Sequence, residues 1–272
     1  MRWGNAGDPR AAAPVAATLR TYTSLAALGA TAAFQLAWYR ARTRLHGPSL
    51  PDALRRLQQW SRGTWKRLRL DVVVHGQPAA EPCVYVCNHR SYLDIPLLAG
   101  TLGATFISRA DVATWPIVGA AARAAGVVFV DRNSLPARAR AARSLARRLR
   151  TTSVIVFPEG TTNGARLPRP FNPGLFRLVH RLGASIVPMT IRYSDRRAYW
   201  VDDVSLSAHL RTSVLSGPRL CGVVHIGTRL RPQAYLDAEA LTQATRQAIC
   251  QPIEAFGEVV GEPLDAAASG AL

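Results

Sequence analysis

Residues 83–96 read CVYVCNHRSYLDIP. An apolar run, Val84 to Cys87, stops at Asn88-His89-Arg90-Ser91, and apolar sequence resumes around Asp94. The short β-branched run reads as a buried strand and Ser91 to Leu102 as a helix. Strand, polar turn and helix make the repeating unit of an α/β sheet. Asp94 stands in otherwise apolar sequence, where a carboxylate needs a partner. With the helix beginning near Ser91, His89 lies just before it and Asp94 about one turn inside. The carboxylate then reaches the near nitrogen of the imidazole, fixes its tautomer and supports the imidazolium that forms when the far nitrogen takes a proton. That is the base and its orienting partner of a catalytic triad. No G-x-S-x-G elbow supplies an internal nucleophile, so the nucleophile is read as a substrate hydroxyl. Alone, a histidine at a structural turn gives the same spacing.

Outward from this stretch the pattern repeats. Strands are predicted at 71–75, 84–87, 105–107, 127–130, 154–157, 186–193 and 222–228. Helices are predicted at 15–45, 52–69, 91–102, 110–124 (with Pro116 as a break or a start), 136–150, 174–182 and 237–256, the last capped by Asp237. Alternating strands and helices predict an α/β fold with a mostly parallel central sheet flanked by helices. An N-terminal, membrane-associated helical segment precedes it. The expected organisation is a lead and membrane helix over 1–50, a catalytic domain over 51–260 and a frayed tail over 261–272. In such sheets, sites gather past the C-terminal ends of the strands.

Two further unusual stretches fall at such ends. FPEGTTN, residues 157–163, follows Val154-Ile155-Val156. Its small hydroxyl residues and free amides suit an oxyanion or phosphate, and Glu159 is placed to anchor the loop by accepting backbone amides. An ordinary strand-to-loop turn is the alternative. GVVFVDR, residues 126–132, delivers Arg132 at a strand end, a natural grip for phosphate. Pro188 in Ile186-Val187-Pro188-Met189 suggests an edge strand or a bulge.

Among the 272 residues 48% are apolar, enough for a sizeable core, and the net charge is +17. Lys66 is the only lysine, so the positive charge is arginine. It points to an anionic partner, a membrane surface, a phosphorylated ligand or nucleic acid. The arginines of 138–150 line a predicted helix as a solvated face or a contact for anionic headgroups. No zinc-finger spacing or interleaved aromatics support nucleic-acid binding. Cys83 and Cys87 lie on one face of a strand, roughly 13 Å apart, too far for a disulfide. Cys221 and Cys250 complete four ordinary thiols of a reducing compartment, and no Cys/His cluster suggests a metal. TYTSLAALGATAAFQLAWY, residues 21–39, is uncharged and followed by Arg40, Arg42 and Arg44. It reads as a membrane-associated segment with a cytoplasmic C-terminal side, and a buried amphipathic helix is the alternative.

In order, N-H-x4-D, G-x-x-F-x-x-R, F-P-E-G-T and V-P resemble the glycerolipid (1-acylglycerol-3-phosphate) acyltransferase family over roughly residues 71–193. The resemblance implies His89 as base and Asp94 as its partner. It implies that Arg132, Glu159, Gly160, Thr161 and Thr162 line the acceptor site, and that Pro188 shapes the acyl-donor region. It implies no metal and no cofactor, with acyl-CoA or acyl carrier protein as donor, membrane lipids as partners, and work on the cytoplasmic face of the cytoplasmic membrane. The implied acceptor is 1-acyl-sn-glycerol-3-phosphate, giving phosphatidic acid. Phosphatidic-acid-forming members commonly continue F-P-E-G-T-R-S, however, and here Thr162 and Asn163 replace Arg-Ser. TTNGARLPRPFNPGLF (161–176) and YWVDDVSLSAHL (199–210) look more like the lyso-ornithine-lipid branch, which is the alternative acceptor. A non-catalytic, basic membrane-binding protein is the alternative of another class.

Overall fold

The computed structural model describes residues 9–131, 134–201 and 204–260. Arg132, an expected acceptor contact, lies outside the described residues, as does the expected tail from 261. Seven strands, β1 (Leu70–His75), β2 (Val84–Cys87), β3 (Thr105–Arg109), β4 (Val128–Val130), β5 (Val154–Val156), β6 (Ile186–Tyr193) and β7 (Leu220–Ile226), form one sheet. Their order is β1-β7-β6-β2-β5-β3-β4. The five strands from β6 to β4 are parallel. β7 runs antiparallel to β6, and β1 follows β7 in parallel. The sheet is therefore mostly parallel, with one reversed edge pair.

Helices α3 (Asp94–Thr101), α6 (Pro173–Leu182) and α8 (Ala238–Phe256) supply the layers that bury the centre. β2 shows why its sequence is continuously apolar. Cys83, Tyr85 and Cys87 join the core that includes Leu93, Leu97 and Leu98. Val84 and Val86 join the opposite core, with Phe176, Val179, Leu241 and Ile249. Alternation along the strand sends residues to both faces, and a strand covered on both sides has no polar face. α2 (Leu50–Arg67) lies close on α3. Trp65 donates to the Pro96 carbonyl at 2.9 Å, and a Cβ on Gly100 would stand 2.2 Å from the Trp65 ring.

α1 (Pro9–His46) begins earlier than expected, so residues 9–14 are helical rather than part of an irregular lead. Leu25 and Leu28 pack on the main core, while Leu19, Tyr22, Phe34, Trp38 and Leu45 are exposed. Arg42 pairs with Asp52 of α2 at 2.8 Å, and Arg56 stacks over Trp38. Among the described residues no helix is long and apolar enough to cross a membrane.

Other boundaries moved for local reasons. Pro116 divides the expected helix over 110–124 into a 3₁₀ turn, Ala110–Thr114, and α4 (Val118–Ala124). α5 (Leu135–Arg148) starts one residue early because Ser134 caps it, accepting from Ala137 N. Asp237 caps α8 as expected, accepting from Ala240 N. The segment after β6, which sequence periodicity did not resolve, carries α7 (Leu206–His209) and a wider turn, Leu210–Val214.

Pro188 sits in an interior strand, which excludes the edge-strand reading, but the bulge reading holds: the pairing shifts from Ile186 with Leu230 to Met189 with Ile226, so Val187 and Pro188 stand opposite residues 227–229. Its neighbour β2 pairs with it in register at Val86. On the other side, Ile186 exchanges bonds with Leu230, and Gly227 N donates to Pro188 O at 2.8 Å. Backbone groups of alternate strand residues point the same way, so the missing N–H of Pro188 faces residues 227–229. The partner chain there has left β7, and no ladder bond is lost.

Candidate active site

The site is built where β2 and β5 end. Asn88 follows β2 and is fully buried. Its side chain accepts from Ile191 N at 2.7 Å and donates to Ile191 O at 2.9 Å. The amide side chain thus extends the β2–β6 ladder by one rung while the main chain turns away. That turn presents His89 at the sheet's upper rim.

The expected helix start at Ser91 is corrected to Asp94. Asp94 is fully buried, and its Oδ2 accepts from Arg90 N at 2.7 Å and Ser91 N at 3.0 Å. The carboxylate reaches back to cap these amides, and the turn ahead of the helix closes with i→i−3 bonds, Asp94 N to Ser91 O and Ile95 N to Tyr92 O, each 3.2 Å. Asp94 Oδ2 also lies 2.8 Å from His89 Nδ1. A carboxylate only accepts, so Nδ1 carries the hydrogen and Nε2 is the accepting nitrogen of the neutral ring. Asp94 Oδ1 accepts from the Tyr193 hydroxyl at 2.6 Å. Four donors satisfy a carboxylate that burial would otherwise make costly. The imidazole stacks on Phe157, centroids 4.0 Å apart, and its side chain is 18% exposed. One edge is fixed from behind and the other is open to a proton donor. Ser91 is fully buried and offers no nucleophile to a substrate.

Glu159 does anchor the loop through backbone amides, but they come from outside its own turn. Oε1 accepts from His89 N at 2.9 Å, and Oε2 accepts from Arg169 N at 3.0 Å and from the Asn163 side-chain amide. Burial pushes the Glu159 carboxyl above its ordinary range, and the His89 and Arg169 amides work against that rise. Gly160, at φ 78°, takes the left-handed conformation that glycine adopts without strain. Its amide donates to Phe157 O, and Asn163 N donates to His89 O. Thr161 is exposed and Thr162 half-buried, at the loop's outer side.

Asn163 is 2% exposed. Its side chain bonds Glu159, Arg90 and the amide of Ala165. The expected departure at 162–163 is therefore half structural, since Asn163 faces the protein. Arg90, singled out by no motif, is the other half of this clamp. It is 1% exposed, and its guanidinium donates to the carbonyls of Asn163, Ala165 and Arg166 at 3.2, 2.5 and 2.7 Å. Its own carbonyl accepts from Trp200 N. Tyr92 adds a bond to His209, and His209 Nε2 meets Tyr199 O. Tyr199, Trp200 and His209 are thereby tied to the histidine turn.

Pro188 lies on β6, beside β2 and below this rim, away from the His89 ring contacts named above. The four cysteines are free, and burial pushes the Cys87 thiol well up, so it is an inert neighbour. Among the described residues no group of three His, Cys, Asp or Glu is placed to ligate a metal. Arg90 and Tyr193 are the site residues that no motif singled out, while Asn88 and Asn163 stood within the motifs without a role. A buried polar residue at each end of an apolar run was their only local signal.

The Acyltransferase family model matches residues 71–192. A lyso-ornithine lipid O-acyltransferase from Pseudomonas aeruginosa is 33% identical over 224 residues, 78% of this chain and 84% of that protein. The chain belongs to the acyltransferase family. A 1-acyl-sn-glycerol-3-phosphate acyltransferase of Neisseria meningitidis is 32% identical over 124 residues, 44% of this acyltransferase and 49% of the relative. The fold is shared with the crystal structure of the 1-acyl-sn-glycerophosphate acyltransferase PlsC from Thermotoga maritima. The TM-score is 0.63 at 22% identity, covering 88% of this chain and 94% of that one.

Proposed function

We propose that this acyltransferase moves a fatty acyl group from a thioester donor, acyl-CoA or acyl carrier protein, to a lysolipid hydroxyl at the cytoplasmic membrane surface. The carrying observation is the His89 ring, held at Nδ1 by buried Asp94 and open at its other edge. Nε2 accepts the hydroxyl proton as the oxygen attacks the thioester carbonyl. The tetrahedral oxyanion forms at the loop after β5. The Gly160 and Asn163 amides are already donated within the protein, which leaves Thr161 and Thr162 as its candidate donors. Collapse expels the thiolate, and the proton on His89 passes to it, restoring the base. The exposed apolar residues of α1, with Arg40, Arg42 and Arg44, support docking on the bilayer surface from which the acceptor comes.

For the acceptor we favour lyso-ornithine lipid. Residue 162 carries no cation, and residue 163 is turned inward, so the FPEGTTN loop presents no cation to a phosphate. The P. aeruginosa relative, matched over 84% of its length, is named for that acceptor. The second reading is 1-acyl-sn-glycerol-3-phosphate, for which exposed Arg166 and Arg169 beside the loop supply cations. Detergent-solubilised protein given labelled acyl-CoA, then acyl carrier protein, with both acceptors together, decides by mass spectrometry. Diacylated ornithine lipid is the expected main product. Phosphatidic acid as main product would overturn the acceptor, and no product from any donor would overturn the enzyme reading.

A further inference from the structure

Asp94 is gripped from two sides. Oδ2 serves the histidine turn, whereas Oδ1 takes the hydroxyl of Tyr193, the last residue of β6. We infer that Tyr193 is a positioning residue of the reaction, acting through Asp94 to fix the carboxylate and temper its basicity while His89 carries the proton. This rests on the His89–Asp94 base reading above.

The tyrosine is placed with little freedom. It is fully buried, its carbonyl accepts from Val260 N at 2.9 Å, and Tyr199 packs against its ring edge-on at 6.3 Å. Across the ladder stands Gly222, where a Cβ would lie 3.4 Å from the Tyr193 ring and 2.4 Å from Leu97. The O···O distance of 2.6 Å falls in the range of a hydroxyl donating to a carboxylate anion. Burial and the Asp94 charge push the Tyr193 hydroxyl well above its ordinary value, so it remains a donor throughout any assay range.

The consequence concerns proton balance. A carboxylate that is too basic keeps the imidazole protonated at rest, and a protonated ring accepts no proton from the acceptor hydroxyl. By drawing charge to Oδ1, the Tyr193 hydroxyl weakens the pull of Oδ2 on Nδ1–H. Without it, Oδ1 loses its hydrogen bond and the buried carboxylate is held through Oδ2 alone. The other groups facing this pair are Cys87 from β2, Arg90 from the turn, Glu159 from the loop after β5 and Tyr199 from the segment after β6. All are common to the wild type and a Tyr193 variant, so the difference between the two isolates the hydroxyl.

The test is Tyr193→Phe in the full-length, detergent-solubilised enzyme, with whichever acceptor the wild type uses. The expected result is a kcat roughly tenfold lower at pH 7, KM for both substrates within about twofold, and an acidic limb of the kcat profile moved up by about half a pH unit or more. A ¹⁵N NMR titration of His89 without substrates should move the same way. A fluorotyrosine at 193 keeps ring and hydroxyl but donates more strongly, and should move both readouts down; it serves if the phenylalanine variant fails to fold. Wild-type pH behaviour in either variant would overturn the role of Tyr193. His89→Ala, run in parallel, separates the two ideas. If it retains turnover, the base reading itself fails. If it is inactive while Tyr193→Phe is normal, only this inference does.

Discussion

Replacing Glu159 by glutamine removes a charge and puts a donor where the structure has only acceptors. Both carboxylate oxygens face N–H groups: His89 N on one side, Arg169 N and the Asn163 amide on the other. A glutamine satisfies one side alone. With its oxygen toward Arg169 and Asn163, its NH₂ confronts the His89 amide. The lost bond was to a charged acceptor, worth about 1.5–3 kcal/mol, and the His89 amide is left facing a donor. The expected destabilisation is about 2–3 kcal/mol, a fall in Tm of roughly 4–10 °C for a chain of this size. The displaced amide belongs to His89, the proposed base, so kcat should fall about tenfold or more, while KM for the acceptor changes little. The assay pairs thermal denaturation with steady-state kinetics on Glu159→Gln. If Glu159 instead contacts the acceptor, KM rises and Tm stays put. That pattern, or an unchanged variant, would refute the reasoning.

Asn88→Ala removes both bonds to the Ile191 backbone in a buried place, and should cost about 3 kcal/mol in denaturant unfolding. Thr162→Arg should return a cation to the loop's outer side and raise phosphatidic acid relative to diacylated ornithine lipid about tenfold in the mixed-acceptor assay, one charge-assisted bond's worth. His225 tests pH dependence away from the site. Burial first, then the charges of His75 and Arg192, pull its ring down from 6.5 to about 4. A lowered histidine stabilises the fold above its unfolded value and loses that contribution as pH falls from about 6.5 through about 4. The ring is half-buried, so solvent screening leaves about 1–2 kcal/mol of the full shift. His225→Phe should therefore lose less Tm than wild type between pH 7 and pH 4, and equal losses would exclude the effect.

The strand-turn-helix at 84–101 was legible because its signals are local. An apolar run of strand length, a polar turn and a second apolar run fix both the elements and the His89–Asp94 approach, five residues apart. The helix boundary was less legible, because the first turn closes with i→i−3 bonds, Asp94 N to Ser91 O and Ile95 N to Tyr92 O, which the apolar pattern does not distinguish from helix. Of the two readings that Pro188 offered, the bulge held and the edge strand did not. A proline is excluded from a central strand only where the neighbouring chain needs its N–H, and the departure of residues 227–229 from the ladder leaves no periodic trace.

The sequence by itself determined the α/β class, the order of the motifs and the pairing of His89 with Asp94. Tertiary structure alone decided what holds that pair in place. Tyr193 reaches Asp94 across 99 residues, Asn88 bonds Ile191 across 103, and Arg90 clamps carbonyls 73 to 76 residues away. Periodicity and capping report interactions within a turn or two of chain. A buried hydrogen bond between distant residues follows from how the strands are ordered in the sheet, which brings the end of β6 beside the end of β2.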